Sequence, residues 1–196
     1  MSESSNPSPS SVDLGRLLEE SGAVLRGHFL LTSGRHSDVY FEKFRVLTQP
    51  RVLSALCAEI AAHFRGVQYV AGPTTGGIII AFEVARQMGA TAVYVEEEDG
   101  TKALRRGQTI PGGSRVLVVD DVLTTGLSVQ ETIGAVKAAG GEVAGVGALI
   151  DRSGGSLDFG CELFASYTVE AQSWAPEDVP DWLAAIPVEK PGTRRA

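Results

Sequence analysis

The chain has 196 residues, 43% hydrophobic and 21% charged, with 17 basic against 24 acidic side chains and a formal net charge of −7. That length makes one domain, with room for a small appendage, and is enough to bury a substantial core. The acidic balance argues against a broad nucleic-acid surface, which needs a basic footprint, and apolar runs such as Ile78 to Phe82 are far too short to span a bilayer.

Met1 to Ser11 is rich in Ser and Pro and lacks any basic residue or apolar core. It has the character of a disordered arm and not of a signal or transit peptide. Apolar residues at 12, 14, 17 and 18 then follow a helical spacing. His28 to Thr32 and Val39 to Phe41 read as short strands flanking Ser33-Gly34-Arg35. Pro50 opens an amphipathic helix reaching Phe64, with Cys57 on its apolar face. Gln68 to Ala71 reads as a strand, Gly72-Pro73-Thr74-Thr75-Gly76-Gly77 as a tight polar loop, and about Ile78 to Met88 as a helix. Thr91 to Val95 is the next strand. Glu96 to Gly113 is polar, charged and too long for a simple connection, as functional lids often are. Strand 115–119, helix 127–139 and strand 143–150 complete the pattern. The alternation from 68 to 150 predicts an α/β fold with a central parallel sheet covered on both faces.

The first forty-odd and last forty residues are expected to cap the carboxyl edge of that sheet. The domain then spans 12–170, with a hood segment 12–48, a core 50–152 and a lid loop 96–113. A C-terminal extension, 171–196, is expected to pack near the hood and end in flexible residues. Cys57 and Cys161 have no Cys-x-x-Cys spacing, and two reduced thiols in a cytoplasmic protein are the simplest account.

The chemistry concentrates in Val116-Leu117-Val118-Val119-Asp120-Asp121-Val122-Leu123-Thr124-Thr125-Gly126-Leu127-Ser128. A buried apolar strand leads to two carboxylates, a Thr-Thr-Gly turn and a helix. Ligands of parallel sheets collect at strand carboxyl ends, and a helix N-terminus beside small hydroxyl residues binds phosphate. Acidic groups for sugar hydroxyls beside an anion nest suit a phosphorylated sugar. Two Asp alone would serve equally well as a turn and helix cap; the complete pattern carries more. Gly72 to Gly77 has no Lys-Ser/Thr ending, so it is not a mononucleotide P-loop, and no GxGxxG occurs. Alone it reads as a plain turn. Lys102, Arg105 and Arg106 place three cations on the lid, either as a solvated charged loop or as a cover that neutralises a leaving anion. His36 is a base by type but fits better as a hydrogen-bonding hood residue. His63 reads as a helix-surface residue and His28 as the start of a strand.

The segment 116–128 resembles the phosphoribosyl-diphosphate (PRPP) signature of the type I phosphoribosyltransferases. Asp151-Arg152, one strand later, resembles the Asp-Arg of the orotate phosphoribosyltransferases. Gly27 to Ser37 looks like their hood motif, and the resemblance covers about residues 12 to 170. It implies a type I fold with a small hood built from N- and C-terminal segments. It also implies the reaction of orotate with PRPP to give orotidine 5′-monophosphate and diphosphate, in de novo pyrimidine (UMP) synthesis. Asp120 and Asp121 would hold the ribose hydroxyls and favour charge on C1, while Lys102 and Arg105 would serve the leaving diphosphate. Val122, Leu123, Thr124, Thr125, Gly126, Leu127 and Ser128 would cradle the 5′-phosphate side of PRPP. Thr74, Thr75, Gly76 and Gly77 would hold its diphosphate. Arg152, Thr124, Tyr40 and Phe41 would orient orotate. The resemblance further implies Mg²⁺ carried by substrate, with Asp121 as the residue to reach it through water, and a cytoplasmic homodimer with no nucleic-acid or membrane partner.

The sequence departs from the family pattern in three places. The common hood Lys falls at Thr32, and the Lys often seen in the pyrophosphate loop falls at Gly76. The lid opens Glu96-Glu97-Glu98, with basic residues only later and no His. A Cys-x-x-Cys seen near the end of some relatives is replaced by Val179 and Trp182, so no zinc is expected. The alternatives left open are a phosphoribosyltransferase for a purine or uracil and a non-catalytic PRPP-sensing regulator.

Overall fold

The computed structural model describes residues 13–31, 33–98, 100–169 and 172–191. The expected arm 1–11, Thr32 and the terminal residues 192–196 lie outside them.

A six-stranded sheet has the order β5-β4-β3-β6-β7-β8. Its strands are β3 (Tyr69–Pro73), β4 (Thr91–Glu98), β5 (Thr101–Leu104), β6 (Arg115–Leu123), β7 (Glu142–Asp151) and β8 (Leu163–Thr168). All pairings are parallel except β4 with β5. Successive side chains on a strand point to opposite faces, and this divides the core in two. Leu117, Val119 and Leu149 pack with α3 (Pro50–His63) and α4 (Gly76–Met88) through Leu56, Ile60, Ile80 and Val84. Val116, Val118 and Val146 pack on the other face with α5 (Leu127–Ala138) through Val129, Ile133 and Val136. Cys57 is wholly buried in the first cluster.

This topology decides where a ligand goes. The crossover from β3 through α4 leads to β4 on one side, and that from β6 through α5 leads to β7 on the other. The carboxyl ends of β3 and β6 therefore flank the point where the winding reverses, the general binding crevice of open α/β sheets.

A second sheet, ordered β10-β1-β2-β9, forms the hood. It joins β1 (Val24–Leu30) and β2 (His36–Phe41) to β9 (Ser173–Trp174) and β10 (Val188–Glu189). Side chains tie the distant segments together. His28 bonds the Ile186 carbonyl at 3.0 Å and His36 at 2.6 Å. The Ser37 hydroxyl donates to the Gln172 carbonyl at 2.9 Å. Around this sheet lie α1 (Leu14–Glu20), capped by Asp13, α2 (Lys43–Leu47), capped by Glu42, and α6 (Asp181–Ala184). No described helix is long and apolar enough to cross a membrane.

The structure revises several expectations. The acidic pair does not follow the strand; β6 runs through it to Leu123, because Val122 and Leu123 still pair with Ile150 and Asp151 of β7. The segment 96–113 is not an open loop. Its first part is a β4–β5 hairpin in which Glu97 opposes Lys102, and Arg106 grips Glu96 through two hydrogen bonds. The sheet extends past 152, since β8 pairs in parallel with β7. α4 begins at Gly76, two residues early, and α2 is an additional helix. His28 is a buried mid-strand residue and not a strand start.

Candidate functional site

Two helix N-termini converge on the reversal point. α4 starts at Gly76 with Thr75 as N-cap, and α5 starts at Leu127 with Gly126 as N-cap; neither has a side-chain cap hydrogen bond or an acidic residue in its first turn. First-turn N–H groups have no partner within their own helix, so both ends suit an anion. Gly126 sits at φ +73°, and an added Cβ would lie 2.9 Å from the Phe159 ring. Only glycine fits that turn. At Gly76 a Cβ would collide with the outer carboxylate oxygen, Oδ2, of Asp121. The loop after β3 therefore rests directly against the acidic pair.

Asp120 and Asp121 are buried. Asp120 Oδ1 accepts the Asp121 N–H at 2.8 Å, and Asp121 Oδ1 accepts the Val122 N–H at 2.8 Å. Asp121 Oδ2 pairs with the Lys43 ammonium at 2.9 Å. Burial, and then the Asp121 charge, push the Asp120 carboxyl up to about 6, against the opposing pull of the Asp121 N–H, Lys43 and Lys102. Two adjacent carboxylates with unlike environments can hold hydroxyls and attract positive charge.

A cleft of about 690 Å³ opens between hood and sheet, lined by Tyr40, Phe41, Lys43, Thr124, Thr125 and Arg152 among others. Arg152 follows β7, and its N–H donates to the Leu123 carbonyl at 2.9 Å, fixing it one strand from the acidic pair. Burial pushes its guanidinium below the usual value, with Tyr40 opposing. Burial, and then Glu42, push the Tyr40 phenol up, with Arg152 and Lys43 opposing. A half-buried guanidinium beside aromatic walls matches a planar acidic ring.

The lid cations separate. Lys102 donates to the Ser128 hydroxyl at 3.1 Å and pairs with Glu131 at 2.7 Å, its side chain only 12% exposed. It thus lies at the α5 end of the site, because β5 packs on α5 and Glu131 supplies the anion a largely buried lysine needs. Arg105 lines a separate hollow with Glu96, Glu97 and Arg106. Lys43 and Glu42 did not stand out in the sequence as site residues. The available signal was compositional: Lys43 is the only lysine in the first hundred residues and directly follows the aromatic pair Tyr40-Phe41 and Glu42.

The chain matches the phosphoribosyl transferase domain family over residues 47–159. The orotate phosphoribosyltransferase of Pelotomaculum thermopropionicum is 49% identical over 181 residues, covering 91% of this chain and 95% of that protein. That of Chlorobaculum parvum is 47% identical over 180 residues, covering 91% and 93%. Among solved structures, orotate phosphoribosyltransferase from Aeropyrum pernix aligns with a TM-score of 0.68 at 32% identity, covering 80% of this chain and 94% of that one. With a strand-borne acidic pair between two uncapped helix ends, and relatives matched over nearly their whole length, this chain belongs to the phosphoribosyltransferase family, in its orotate branch.

Proposed function

We propose that the protein transfers the phosphoribosyl group of PRPP to orotate, forming orotidine 5′-monophosphate and diphosphate in pyrimidine synthesis. The observation that carries this reading is Arg152 sharing one cleft with Thr124, Tyr40 and the end of β6. A purine or uracil offers no carboxylate for that guanidinium.

In this mechanism the acidic N1–H of orotate gives up its proton to solvent, and the ring nitrogen N1 attacks C1 of the ribose. The bond from C1 to the diphosphate oxygen breaks, and its electron pair leaves with diphosphate. Positive charge grows on C1 as the bond loosens, and the buried Asp120–Asp121 pair stabilises it. Thr124, Thr125, Gly126 and Ser128 hold the 5′-phosphate at the N-terminus of α5, with Lys102 reinforcing that end. Thr74 to Gly77 hold the diphosphate at the N-terminus of α4. Arg152 clamps the orotate carboxylate while Tyr40 and Phe41 wall the ring.

The residues present fit a Mg²⁺ delivered on substrate. No group of three or more His, Cys, Asp or Glu gathers among the described residues to cage a metal, but Asp121 would reach a Mg²⁺ brought in by PRPP through water, beside Asp120. When bound, Mg²⁺ supplies neutralising charge to the departing diphosphate. The two free cysteines, one of them buried, suit a reducing compartment, which supports the cytoplasm as the site of action.

The test is to mix protein with orotate, PRPP and Mg²⁺ and follow the ultraviolet absorbance of orotate. Loss that needs all three components supports the reading. Turnover with a purine or uracil alone would move the specificity away from Arg152. PRPP binding with no turnover of any base would favour a PRPP-sensing regulator.

A further inference from the structure

Lys43 opens α2, immediately behind hood strand β2. Its ammonium lies 2.9 Å from Asp121 Oδ2 with the side chain 44% exposed, so it sits at the open edge of the cleft. The same carboxylate oxygen abuts Gly76, where any Cβ would collide with it. At Gly76 the loop after β3 thus has no room for a side chain beside the acidic pair, and Lys43 is the cation at that place. Other cations nearby are held elsewhere: Lys102 by Ser128 and Glu131, and Arg106 by Glu96. A diphosphate arriving beside two buried carboxylates needs positive charge on the protein side.

We propose that Lys43 binds the diphosphate of PRPP, a cation supplied by the hood helix in place of one on the pyrophosphate loop. This rests on the PRPP reading above. Without ligand the ammonium is held against Asp121. When ribose hydroxyls engage Asp121, the ammonium turns on its flexible four-carbon stem to the phosphate oxygens. A compact cation with three rotatable donors suits a tetrahedral anion approached from a variable angle.

The experiment compares PRPP with ribose 5-phosphate, which shares the 5′-phosphate and the 2′- and 3′-hydroxyls but lacks the diphosphate. Binding is measured by titration calorimetry with Mg²⁺ for the wild-type protein, K43Q, K43M and K43R. The expected result is about tenfold or greater weakening of PRPP for both K43Q and K43M, from loss of a charged hydrogen bond, with ribose 5-phosphate changed less than about twofold. K43R should retain most of the PRPP affinity. Equal weakening of both ligands would overturn the proposal, because Lys43 would then act only by organising Asp121; so would unchanged affinity for both. Orotate does not enter this measurement. Failure of wild-type protein to consume orotate, with PRPP binding intact, would sink the assigned base and leave the Lys43 result readable.

Discussion

At the scale of single residues, the site trades stability for chemistry at Asp120. Its carboxyl titrates near 6, well above the ordinary 3.8. Between those values the folded protein keeps a proton that the unfolded chain has shed. Stability therefore falls as pH rises through that window, and the deficit persists above it. Asp120→Asn removes the charge, and its amide oxygen can still accept the Asp121 N–H. The substitution should raise stability by about 1–3 kcal/mol at pH 7.5, and the gain should shrink toward pH 4. PRPP turnover should be lost at every pH. Thermal melts of both proteins across that range check this, and a variant that melts lower than wild type at pH 7.5 would refute it. In the wild type, kcat/KM for PRPP should drop as pH falls below about 6, when the hydroxyl acceptor becomes protonated. Arg152 is a separate case. Arg152→Ala should weaken orotate binding by about 1.5–3 kcal/mol, the range for a charged hydrogen bond, and leave PRPP affinity nearly unchanged. Equal loss of both ligands would point to a different role.

The lid shows what an element adds to its residues. As sequence, Glu96 to Gly113 reads as a charged loop, because Glu and Lys are poor strand formers and the strand signal of β4 fades after Val95. In the fold, the antiparallel register sets Glu97 opposite Lys102, and Arg106 closes on Glu96. The Arg106–Glu96 pair across the hairpin and the Lys102–Glu131 pair to α5 compensate for weak intrinsic propensity. The hairpin carries Lys102 onto Ser128, at the end of the site where the proposed function puts the 5′-phosphate. Lys102→Ala should weaken PRPP and ribose 5-phosphate together, by about tenfold, whereas loss of Lys43 should discriminate between them. Titrations of the two variants with both ligands separate these roles. Selective loss of PRPP in Lys102→Ala would return Lys102 to the diphosphate. The core elements were legible from sequence because each is locally complete: β6 is a β-branched run, α3 starts at a proline, and α4 and α5 follow glycine turns. β8 and β9 were not legible, since Leu163 to Thr168 and the pair Ser173-Trp174 acquire strand geometry only from partners far away in the chain.

At the scale of the molecule, the same distinction separates sheet from hood. The parallel sheet follows from the alternation of strands and helices, whereas hood closure depends on contacts between chain ends, such as His28 with Ile186 and Ser37 with Gln172. Those contacts have no periodic signature. The acidic pair, the glycine turns and Arg152 were visible because their residue types are dictated by chemistry. Lys43 was not, because a single lysine acquires meaning only when the fold brings it to Asp121. The exposed face of α4 suits a role in assembly. Ile79 and Phe82 lie one turn apart on α4, 42% and 64% exposed. Side chains three apart share a helix face, and an apolar pair on the helix that follows the Thr74–Gly77 turn suits a contact with a second copy. The expected state is a homodimer at micromolar concentration. Phe82→Glu should convert it to a folded monomer, because the exposed position tolerates a charge in the monomer and a buried interface does not. Light scattering after size exclusion reads the mass, and circular dichroism confirms that the variant remains folded. A wild-type protein that elutes as a monomer, or a variant that stays dimeric, would take this face of α4 out of the assembly.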